Sequence, residues 1–486
     1  MDRIKEKIPI DFLQRNLFLP LEENGDLKLG VCSESNLEAI EDLRLILQID
    51  LEPLYMKRDQ IDMGLRDLLV QDIGSGSDDD DDSLEILEEE TQDLLSHSRD
   101  APIIKLVNSL FLQSLQRRGT DIHIEPYEAD ARVRIRTDGE LHETMTISKN
   151  QYTGVCARVK VMARLNLAEH RLPQDGRMRV KAGDNALDVR VSILPTQFGE
   201  RIVLRILDRG IQIITLENLG LLKEDYVKLR SLISHPYGSI LITGPTGSGK
   251  STTLYAMIQE IKSPRRNIIT IEDPVEYQIE GIGQIPVNAK IGITFASGLR
   301  SILRQDPDVI MVGEIRDPET ADIVTHASLT GHLVLSTLHT NDAPTAVSRL
   351  VDMGVESYLI SSSVIGIIAQ RLVRRLCPSC KEPYTPRESE LRGMNIKSPP
   401  STLQFYRQRD KGCQDCLGTG FHGRVAIFEI MVIDEDLKSA IIRSPEANVI
   451  RKIARDNGME NLMDDGVKKV IKGVTTMEEV LRATTT

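Results

Sequence analysis

Apolar and polar residues follow two different periods along the chain. Between residues 101 and about 212, apolar residues recur first at helical spacing and then alternate strictly with polar ones, at 121–125 and 131–136. Alternation places one side of a strand in a core and the other in water. This region therefore predicts an α+β domain, with His123 as an exposed strand residue and not a ligand. From 213 to 486, short apolar strands alternate with helical patterns, which predicts a three-layer α/β core.

The first 100 residues carry weaker signals. Residues 1–73 predict a small α/β domain: Asn24-Gly25 favours a hairpin turn, 27–31 alternates like a strand, and 33–40 resembles a capped helix start. Glycine and serine followed by five consecutive aspartates then break the pattern. Because adjacent carboxylates repel one another and stay solvated, 74–100 is interpreted as a flexible linker and not as a cation site.

Composition narrows the class of protein. Hydrophobic residues make up 40% and charged residues 27% of the 486 positions, as in globular domains. No apolar run approaches the roughly 20 residues that span a bilayer, and the N-terminus leads into no long apolar segment. These features predict a cytosolic protein. The net charge of −13 disfavours broad nucleic-acid binding, which depends on cationic surface.

The predicted α+β domain is nevertheless rich in arginine. One interpretation is a solvated surface balanced by acids elsewhere. The other is a set of cations directed at a phosphate. The arginines concerned are Arg158, Arg164, Arg171, Arg177, Arg179, Arg190, Arg201 and Arg205.

The strongest motif lies at the start of the last region. Residues 244–251 match G-x-x-x-x-G-K-[ST] at every fixed position, between an apolar strand and a helix start. Backbone N–H groups in such a loop cradle a polyphosphate, Lys250 reaches the β- and γ-phosphates, and Ser251 ligates Mg²⁺. The sequence therefore predicts nucleoside triphosphate binding. The predicted binding residues are Gly244, Pro245, Thr246, Gly247, Ser248, Gly249, Lys250, Ser251 and Thr252.

Acidic residues and histidines follow later strands of the same region. Glu272 and Glu276 come after one apolar strand, and Glu314 follows another. Ligand sites in open α/β sheets gather at the carboxyl ends of strands, so Glu314 is predicted to act on Mg²⁺ through water or as the base for the attacking water. For Glu272 and Glu276 a cap or salt bridge is the alternative. His332 and His339 bracket a third strand, either structurally or as sensors of the γ-phosphate or of a neighbouring chain.

Four of the six cysteines form two C-x₂-C pairs. Four thiolates suit tetrahedral Zn²⁺, although the 32 residues between the pairs exceed the usual ribbon spacing. The insertion, about 374–424, has ten Lys or Arg and five Asp or Glu. It is either a partner surface or ordinary solvated surface. Cys32 and Cys156 are predicted to be small buried residues. The predicted zinc ligands are Cys377, Cys380, Cys413 and Cys416.

Four blocks of this sequence resemble the Walker A, aspartate, Walker B and histidine boxes of the secretion ATPase superfamily. Two further blocks narrow the resemblance to the type II secretion ATPases, the general secretion protein E family, with the type IV pilus assembly ATPases as close relatives. The six blocks are 244–251, 271–276, 304–317, 330–341, 171–177 and 198–205.

The resemblance implies roles for individual residues. By match of motif, Arg190 and Arg205 are candidate arginine fingers that neutralise charge developing on the γ-phosphoryl group. Glu314 matches the Walker B glutamate and Glu272 the aspartate-box glutamate. Further arginines linked to activity or assembly match Arg300, Arg304 and Arg316.

The resemblance also implies an architecture and a function. It implies a RecA-like P-loop core, a preceding PAS-like α+β domain, an N-terminal docking domain and a zinc insertion that pilus retraction ATPases lack. The expected protein is a Mg²⁺-dependent hexameric ATPase on the cytoplasmic face of the inner membrane. It would bind a docking protein and a platform protein, and would drive pseudopilus assembly and protein export. The compact first domain favours secretion over pilus assembly.

Two alternatives from other classes remain open from the sequence. A DNA-translocating ring ATPase would need DNA-stimulated hydrolysis, and the net charge of −13 disfavours it. A nucleotide-gated scaffold would bind ATP and hardly hydrolyse it. The presence of Lys250, Glu272 and Glu314 disfavours that alternative.

Overall fold

The chain divides into two compact units, Met1–Glu88 and Glu89–Thr486. No helix in the described ranges has both the length and the apolar character needed to cross a membrane. The computed structural model describes residues 18–23, 26–32, 40, 52–58, 61, 92–93, 102–182, 185–208, 215–394 and 404–485.

The first unit contains a small sheet. Its strands, in sheet order, are β1 (Leu19–Glu23), β2 (Asp26–Val31) and β3 (Glu52–Tyr55). The first pair is antiparallel and the second parallel. The strand predicted at 27–31 is confirmed, with Leu29 and Val31 buried. The predicted turn at Asn24-Gly25 lies outside the described residues, as does the predicted helix start at 33–40 apart from Ile40.

The arginine-rich domain is a seven-stranded sheet in the order β4-β8-β9-β10-β5-β6-β7. All its pairs are antiparallel except β4 with β8. Two residues of the predicted linker form β4 and pair with β8. The elements, in chain order, are β4 (Gln92–Asp93), α1 (Pro102–Gln116), β5 (Gly119–Pro126), β6 (Asp130–Thr137), β7 (Glu140–Ser148), α2 (Lys149–Met162), β8 (Gln174–Ala182), β9 (Asn185–Thr196) and β10 (Gly199–Asp208).

The two faces of this sheet differ. Both helices cover one face, where Phe111 and Val155 pack with strand residues such as Ile122 and Val191 in one core. The other face carries the polar residues of the alternating strands. The prediction that His123 is exposed is wrong, because the residue keeps only 9% of its accessible surface. β5 is an interior strand, and on the face that carries His123 the charged side chains of the same strand and of both neighbouring strands surround the ring.

The second half of this unit contains another seven-stranded sheet, in the order β13-β12-β14-β15-β11-β16-β19, where β19 is Phe421–Val432. Six strands are parallel and β19 is antiparallel to β16. Its elements, up to the last parallel strand, are α3 (Lys223–Ile233), β11 (Gly238–Thr243), α4 (Lys250–Ile261), β12 (Ile268–Glu272), β13 (Gly283–Pro286), α5 (Phe295–Ile302), β14 (Val309–Val312), α6 (Pro318–Leu329), β15 (Leu333–Leu338), α7 (Ala343–Asp352), α8 (Ser357–Ser363) and β16 (Val364–Leu376).

Helices cover both faces of this sheet. α3 and α4 pack on one face with Ile240 and Ile242, whereas α5 to α8 pack on the other face with Leu241. A strand buried on both faces reads as a continuous apolar run, which is why these strands do not alternate. The predicted three-layer α/β core is confirmed.

The connection between β16 and β19 carries the cysteine pairs. Cys32 and Cys156 are buried, as predicted. The remaining elements are β17 (Glu382–Tyr384), α9 (Glu388–Gly393), β18 (Phe405–Arg407), β19 (Phe421–Val432), α10 (Glu435–Arg443), α11 (Ala447–Asp456), α12 (Leu462–Ile471) and α13 (Met477–Thr484).

Candidate active site and zinc site

The phosphate loop connects the end of β11 to the start of α4. Gly247 and Gly249 have φ values of 80° and 88°, a left-handed conformation that favours glycine. A Cβ on Gly247 would meet nothing within 4 Å, so this part of the loop borders open space. Ser248 Oγ is buried and has no hydrogen-bond partner in the described structure. The loop therefore offers a cradle and a helix N-terminus that fit a phosphate group.

The Lys250 side chain lies inside the loop and is hydrogen-bonded to its backbone. Its Nζ donates to the carbonyl oxygens of Gly244 at 2.8 Å and Pro245 at 3.1 Å. Burial lowers the pKa of Lys250 to about 8, while the negative charge of Glu314 opposes this shift. The lysine is thus a partly desolvated cation whose charge a phosphate would stabilise.

A buried glutamine that the sequence analysis missed supports the loop. Gln370, on β16, donates from Nε2 to Ser248 O at 2.9 Å and accepts from Thr253 Oγ1 at 2.7 Å. It therefore links the loop, helix α4 and the neighbouring strand. The only signal in the sequence is one amide within an apolar strand, which does not reveal its partners.

A cleft of about 490 Å³ lies above the loop at the carboxyl ends of β12, β14 and β15. The described lining includes most of the site residues that the sequence predicts. It also includes residues not predicted, among them Tyr255, Tyr277, Leu372 and Arg424. The predicted residues in this lining are Thr246, Gly247, Ser248, Gly249, Lys250, Ser251, Thr252, Glu272, Glu276, Glu314, Arg316 and His339.

Glu314 lies at the end of β14 and points into this cleft. It forms an ion pair with Arg316, and His339 Nε2 lies 3.2 Å from its Oε2. Both partners are substantially exposed, whereas the glutamate is largely buried. The hydrogen bond to Glu314 raises the pKa of Arg316. This carboxylate is therefore held by side chains that have room to move.

Glu272 has a more rigid environment. Its Oε1 accepts from Thr270 Oγ1 at 2.5 Å and Gln284 Nε2 at 3.2 Å, and its Oε2 accepts from Tyr255 OH. Burial, and then the hydrogen bond to this glutamate, raise the pKa of Tyr255. Neutral donors thus fix Glu272 in the wall of the cleft.

Glu276 connects the cleft to the arginine-rich domain. Arg190 Nη2 donates to its Oε2 at 3.1 Å, so the structure contains the salt bridge that the sequence analysis kept as an alternative. Arg205 pairs instead with Asp121 at 2.8 Å, and 60% of its side chain is exposed. The described lining of the cleft contains neither arginine.

Three other predicted residues also lie away from the cleft. His332 precedes β15 and its Nδ1 contacts Ala327 O at 2.9 Å, at the opposite end of the strand from His339. Arg300 pairs with Glu319, and Arg304 is hydrogen-bonded within its own turn. Two histidines that flank one strand necessarily lie at opposite ends of that strand, and only one of these ends faces the cleft.

The β6–β7 hairpin contacts the domain that carries the phosphate loop, on the other side of that loop. Glu140 accepts from Arg374 Nη1 at 2.6 Å and also pairs with Arg482. Asp138 Oδ2 accepts from Gly423 N at 3.0 Å. These contacts border a second cavity of about 390 Å³ that shares loop residues with the first. The sequence does not reveal them because the partners are more than 200 residues apart.

The four cysteines converge between β16 and β19. All four sulfur atoms lie within 4.8 Å of one another. Three of the separations, Cys377–Cys413, Cys380–Cys416 and Cys413–Cys416, are 3.7, 3.8 and 3.7 Å. Tetrahedral Zn–S bonds of about 2.3 Å give sulfur separations of about 3.8 Å. The geometry therefore fits zinc.

Against the effect of burial, backbone N–H groups lower the pKa of one of these thiols, that of Cys416. Burial alone raises the pKa of Cys416, but N–H groups of Cys413 and Gly420, at 3.0 and 3.2 Å, bring it to about 6. A thiolate is the form that binds metal. The predicted ligand set is thus assembled in space.

Residues 96–482 match the family described as Type II/IV secretion system protein, and residues 2–74 match the MshEN domain. The chain belongs to the type II/IV secretion system protein family. The family predicted from the sequence is confirmed.

Relatives of this chain include proteins named for type II secretion systems and for type IV pilus assembly. Type II secretion system protein E of Pseudomonas aeruginosa is 49% identical over 81% of this chain and 78% of the relative. Type II secretion system ATPase E of Vibrio cholerae is 49% identical over 86% of this chain and 82% of the relative. The type IV pilus assembly ATPase PilB of Myxococcus xanthus is 41% identical over 98% of this chain and 85% of the relative.

Known structures share the fold of this chain. The X-ray structure of the Legionella pneumophila ATPase DotB superposes with a TM-score of 0.59 at 20% identity, over 80% of this chain and 98% of that one. The crystal structure of the pilus retraction motor PilT with bound ADP superposes with a TM-score of 0.53 at 26% identity, over 77% of this chain and 95% of that one.

Proposed function

We propose that this chain is a hexameric, Mg²⁺-dependent ATPase that powers pseudopilus assembly and protein export by a type II secretion system. The observation that carries the proposal is one cleft in which Lys250 and Glu314 face each other at the carboxyl ends of parallel strands. Relatives named as type II secretion ATPases support the cellular role.

The residues of the cleft divide the chemistry among them. Loop N–H groups and Lys250 bind the phosphates, with Lys250 exchanging its contacts to Gly244 and Pro245 for phosphate oxygens. When bound, Mg²⁺ would be held by Ser251 and, through water, by Glu314, and would neutralise phosphate charge.

Glu314 is the base in this proposal. Neutral donors occupy both oxygens of Glu272, which suits that residue to shaping the wall. Glu314 has exposed partners that can turn aside, and His339 lies close enough to orient it. Glu314 would accept the proton of the attacking water.

The arginines complete the site. Arg190 contacts the rim of the cleft through Glu276. Arg205 is exposed outside the cleft of its own chain, so it would reach the γ-phosphate of a neighbouring copy. A ring of identical chains would then be needed for full turnover.

Steady-state ATPase measurements on the assembled protein test this mechanism. Lys250→Ala and Glu314→Gln are each expected to lower kcat at least about 100-fold. Arg205→Ala is expected to lower kcat while ATP binding is retained. The matched control is His332→Ala, at the far end of β15, which should stay within about twofold of wild type. Wild-type rates in all three site variants would refute the proposal.

Location and partners follow from the same role. The protein would act on the cytoplasmic face of the inner membrane, through a docking protein bound by residues 1–73 and through a platform protein. Four cysteines would hold a structural Zn²⁺. Nucleic acid is not among the proposed partners, because the net charge of −13 opposes it.

Type IV pilus assembly is the second candidate. The pilus assembly relative from Myxococcus xanthus matches 98% of this chain, whereas the two secretion relatives match 81% and 86%. A pull-down from native membranes with this protein as bait separates the two. Recovery of secretion platform proteins supports the first proposal, and recovery of pilus platform proteins supports the second.

A further inference from the structure

One row of charged residues crosses the polar face of the arginine-rich sheet. The strand register places Arg177 opposite Arg190, Arg190 opposite Arg205, Arg205 opposite Asp121 and Asp121 opposite Arg136. Residues directly opposite each other in a ladder share a face. Four arginines and one aspartate therefore lie side by side across five strands. We call this surface the arginine face.

Asp121 is the only acid in this row, and its carboxylate is almost fully buried. Its Oδ1 accepts from Arg205 Nε at 2.8 Å and its Oδ2 accepts from Thr120 Oγ1 at 2.7 Å. Arg136 Nε lies 3.9 Å from Oδ2. Burial raises the pKa of Asp121, but these hydrogen bonds and charges outweigh it and leave the pKa lowered. The residue is therefore a fixed anion at neutral pH.

The contact uses only one side of the guanidinium. Arg205 donates its Nε–H to Asp121. Within the described structure, its two terminal NH₂ groups have no hydrogen-bond partner. These are the groups that form a fork on a phosphate. Arg190, the neighbour in the row, has Nη2 engaged by Glu276 instead. Arg205 is thus the more exposed of the two and the one with open NH₂ groups.

We infer that Asp121 is a positioning residue for Arg205: it fixes the guanidinium by its Nε edge and leaves the NH₂ fork free for a phosphate of a neighbouring copy. This inference rests on the proposed role of Arg205 in ATP hydrolysis. An arginine that is already oriented loses less side-chain freedom when it binds. Without Asp121, Arg205 would reach the phosphate in many rotamers, and only turnover would suffer.

The same strand provides a matched control. Glu125 lies on the same face as Asp121, is equally buried, and holds Arg134 at 2.7 Å and Arg201 at 2.5 Å. Removal of either carboxylate leaves two arginines without their shared acid. Only Asp121 contacts Arg205, so the two variants separate positioning of this arginine from a general effect on the sheet.

Steady-state hydrolysis by the assembled full-length protein tests the inference. Asp121→Asn is expected to lower kcat about tenfold with KM for ATP within about twofold, whereas Glu125→Gln stays within about twofold in both constants. Wild-type kcat in Asp121→Asn, or an equal loss in Glu125→Gln, overturns the inference. Thermal melting of both variants establishes that they fold.

The double variant separates this inference from the proposed function. If Asp121 acts through Arg205, Asp121→Asn has no further effect on kcat in an Arg205→Ala background. A further tenfold loss there overturns the inference. If Arg205→Ala alone keeps wild-type kcat, the proposed role of Arg205 fails first. If Asp121→Asn does not fold, Asp121→Glu displaces the carboxylate by one methylene, and an unchanged kcat in that variant overturns the inference.

Discussion

The ATPase domain, which is the second seven-stranded sheet with its helices, buries a charged pair in its interior. The arginine face instead leaves cations exposed. In the ATPase domain, Asp465 and Lys469 form a pair with 1% and 2% of their side chains exposed, and Glu429 is buried against the start of α7. On the arginine face, Arg205 remains 60% exposed while its acid is buried. A buried pair has no route to a ligand and can only hold the fold. An exposed cation on a fixed acid adds little stability and remains available for binding.

Removal of the metal should have the largest effect. Purified protein is expected to carry one zinc per chain. Removal of the zinc should expose 377–394 and 404–416, because thiolates gathered in one place repel one another without a cation. Native mass spectrometry measures the zinc, and hydrogen exchange measures the exposure. Cys413→Ser should lose the metal, whereas Cys156→Ala should keep it. Protein isolated without zinc yet fully protected over 377–394 and 404–416 would contradict this expectation.

Breaking the buried pair should be the next largest effect. Lys469→Met keeps the volume but leaves Asp465 buried without its cation, which is expected to lower the free energy of unfolding by about 3–5 kcal/mol. Lys469 Nζ donates to Asp465 Oδ2 and Ala426 O, both at 2.6 Å. Urea unfolding of the full chain measures the loss.

An exposed helical pair gives the control for that variant. Lys438 Nζ lies 2.7 Å from Glu435 Oε1, and both side chains are exposed. Lys438→Met should therefore change the free energy of unfolding by less than about 0.5 kcal/mol. Equal losses in the two lysine variants would mean that burial does not distinguish the pairs.

The pH dependence of stability tests the third buried charge. Burial raises the pKa of Glu429 to about 7, above its ordinary value of 4.5. Between these values the folded chain keeps a proton that the unfolded chain releases, so this residue lowers stability as pH rises to about 7 and has a constant effect above it. Glu429→Gln should therefore gain on the order of 2 kcal/mol over wild type at about pH 8 and little at about pH 5. Unfolding midpoints of both proteins at the two pH values measure the gain, and a difference independent of pH would contradict it.

The arginine face should give the smallest change in stability. Arg205→Ala removes an exposed cation, and Asp121 keeps Thr120 and Arg136 as partners. The free energy of unfolding should fall by less than about 1 kcal/mol, although turnover falls. A loss above about 2 kcal/mol, measured by urea unfolding, would mean that the face holds the fold and would remove the contrast with the ATPase domain.

Short-range patterns in the sequence predicted the positions of individual strands correctly. The strand before the phosphate loop and the strand at 309–312 are found where the apolar runs predict them. The loop itself is contiguous, so its glycines and Lys250 fall together without knowledge of the rest of the fold. The cysteine ligands also could be predicted, because each pair is local and sulfur chemistry restricts the partners.

Long-range contacts could not be predicted in the same way. Gln370 reaches the loop from a strand 122 residues away, and Arg374 meets Glu140 across 234 residues. His123 was wrongly predicted to be exposed because alternation shows which residues share a face but not what covers that face. The two histidines flanking β15 looked equivalent, and only the strand direction separates His339 from His332.

The sequence by itself determined the phosphate loop, the apolar strands around it and the four thiols, because each depends on neighbours along the chain. Only the tertiary structure decided that Arg205 lies between Arg190 and Asp121, and that its own cleft does not contain it. Strand register and domain packing fix those positions. Both depend on buried area summed over many distant residues, which no local pattern records.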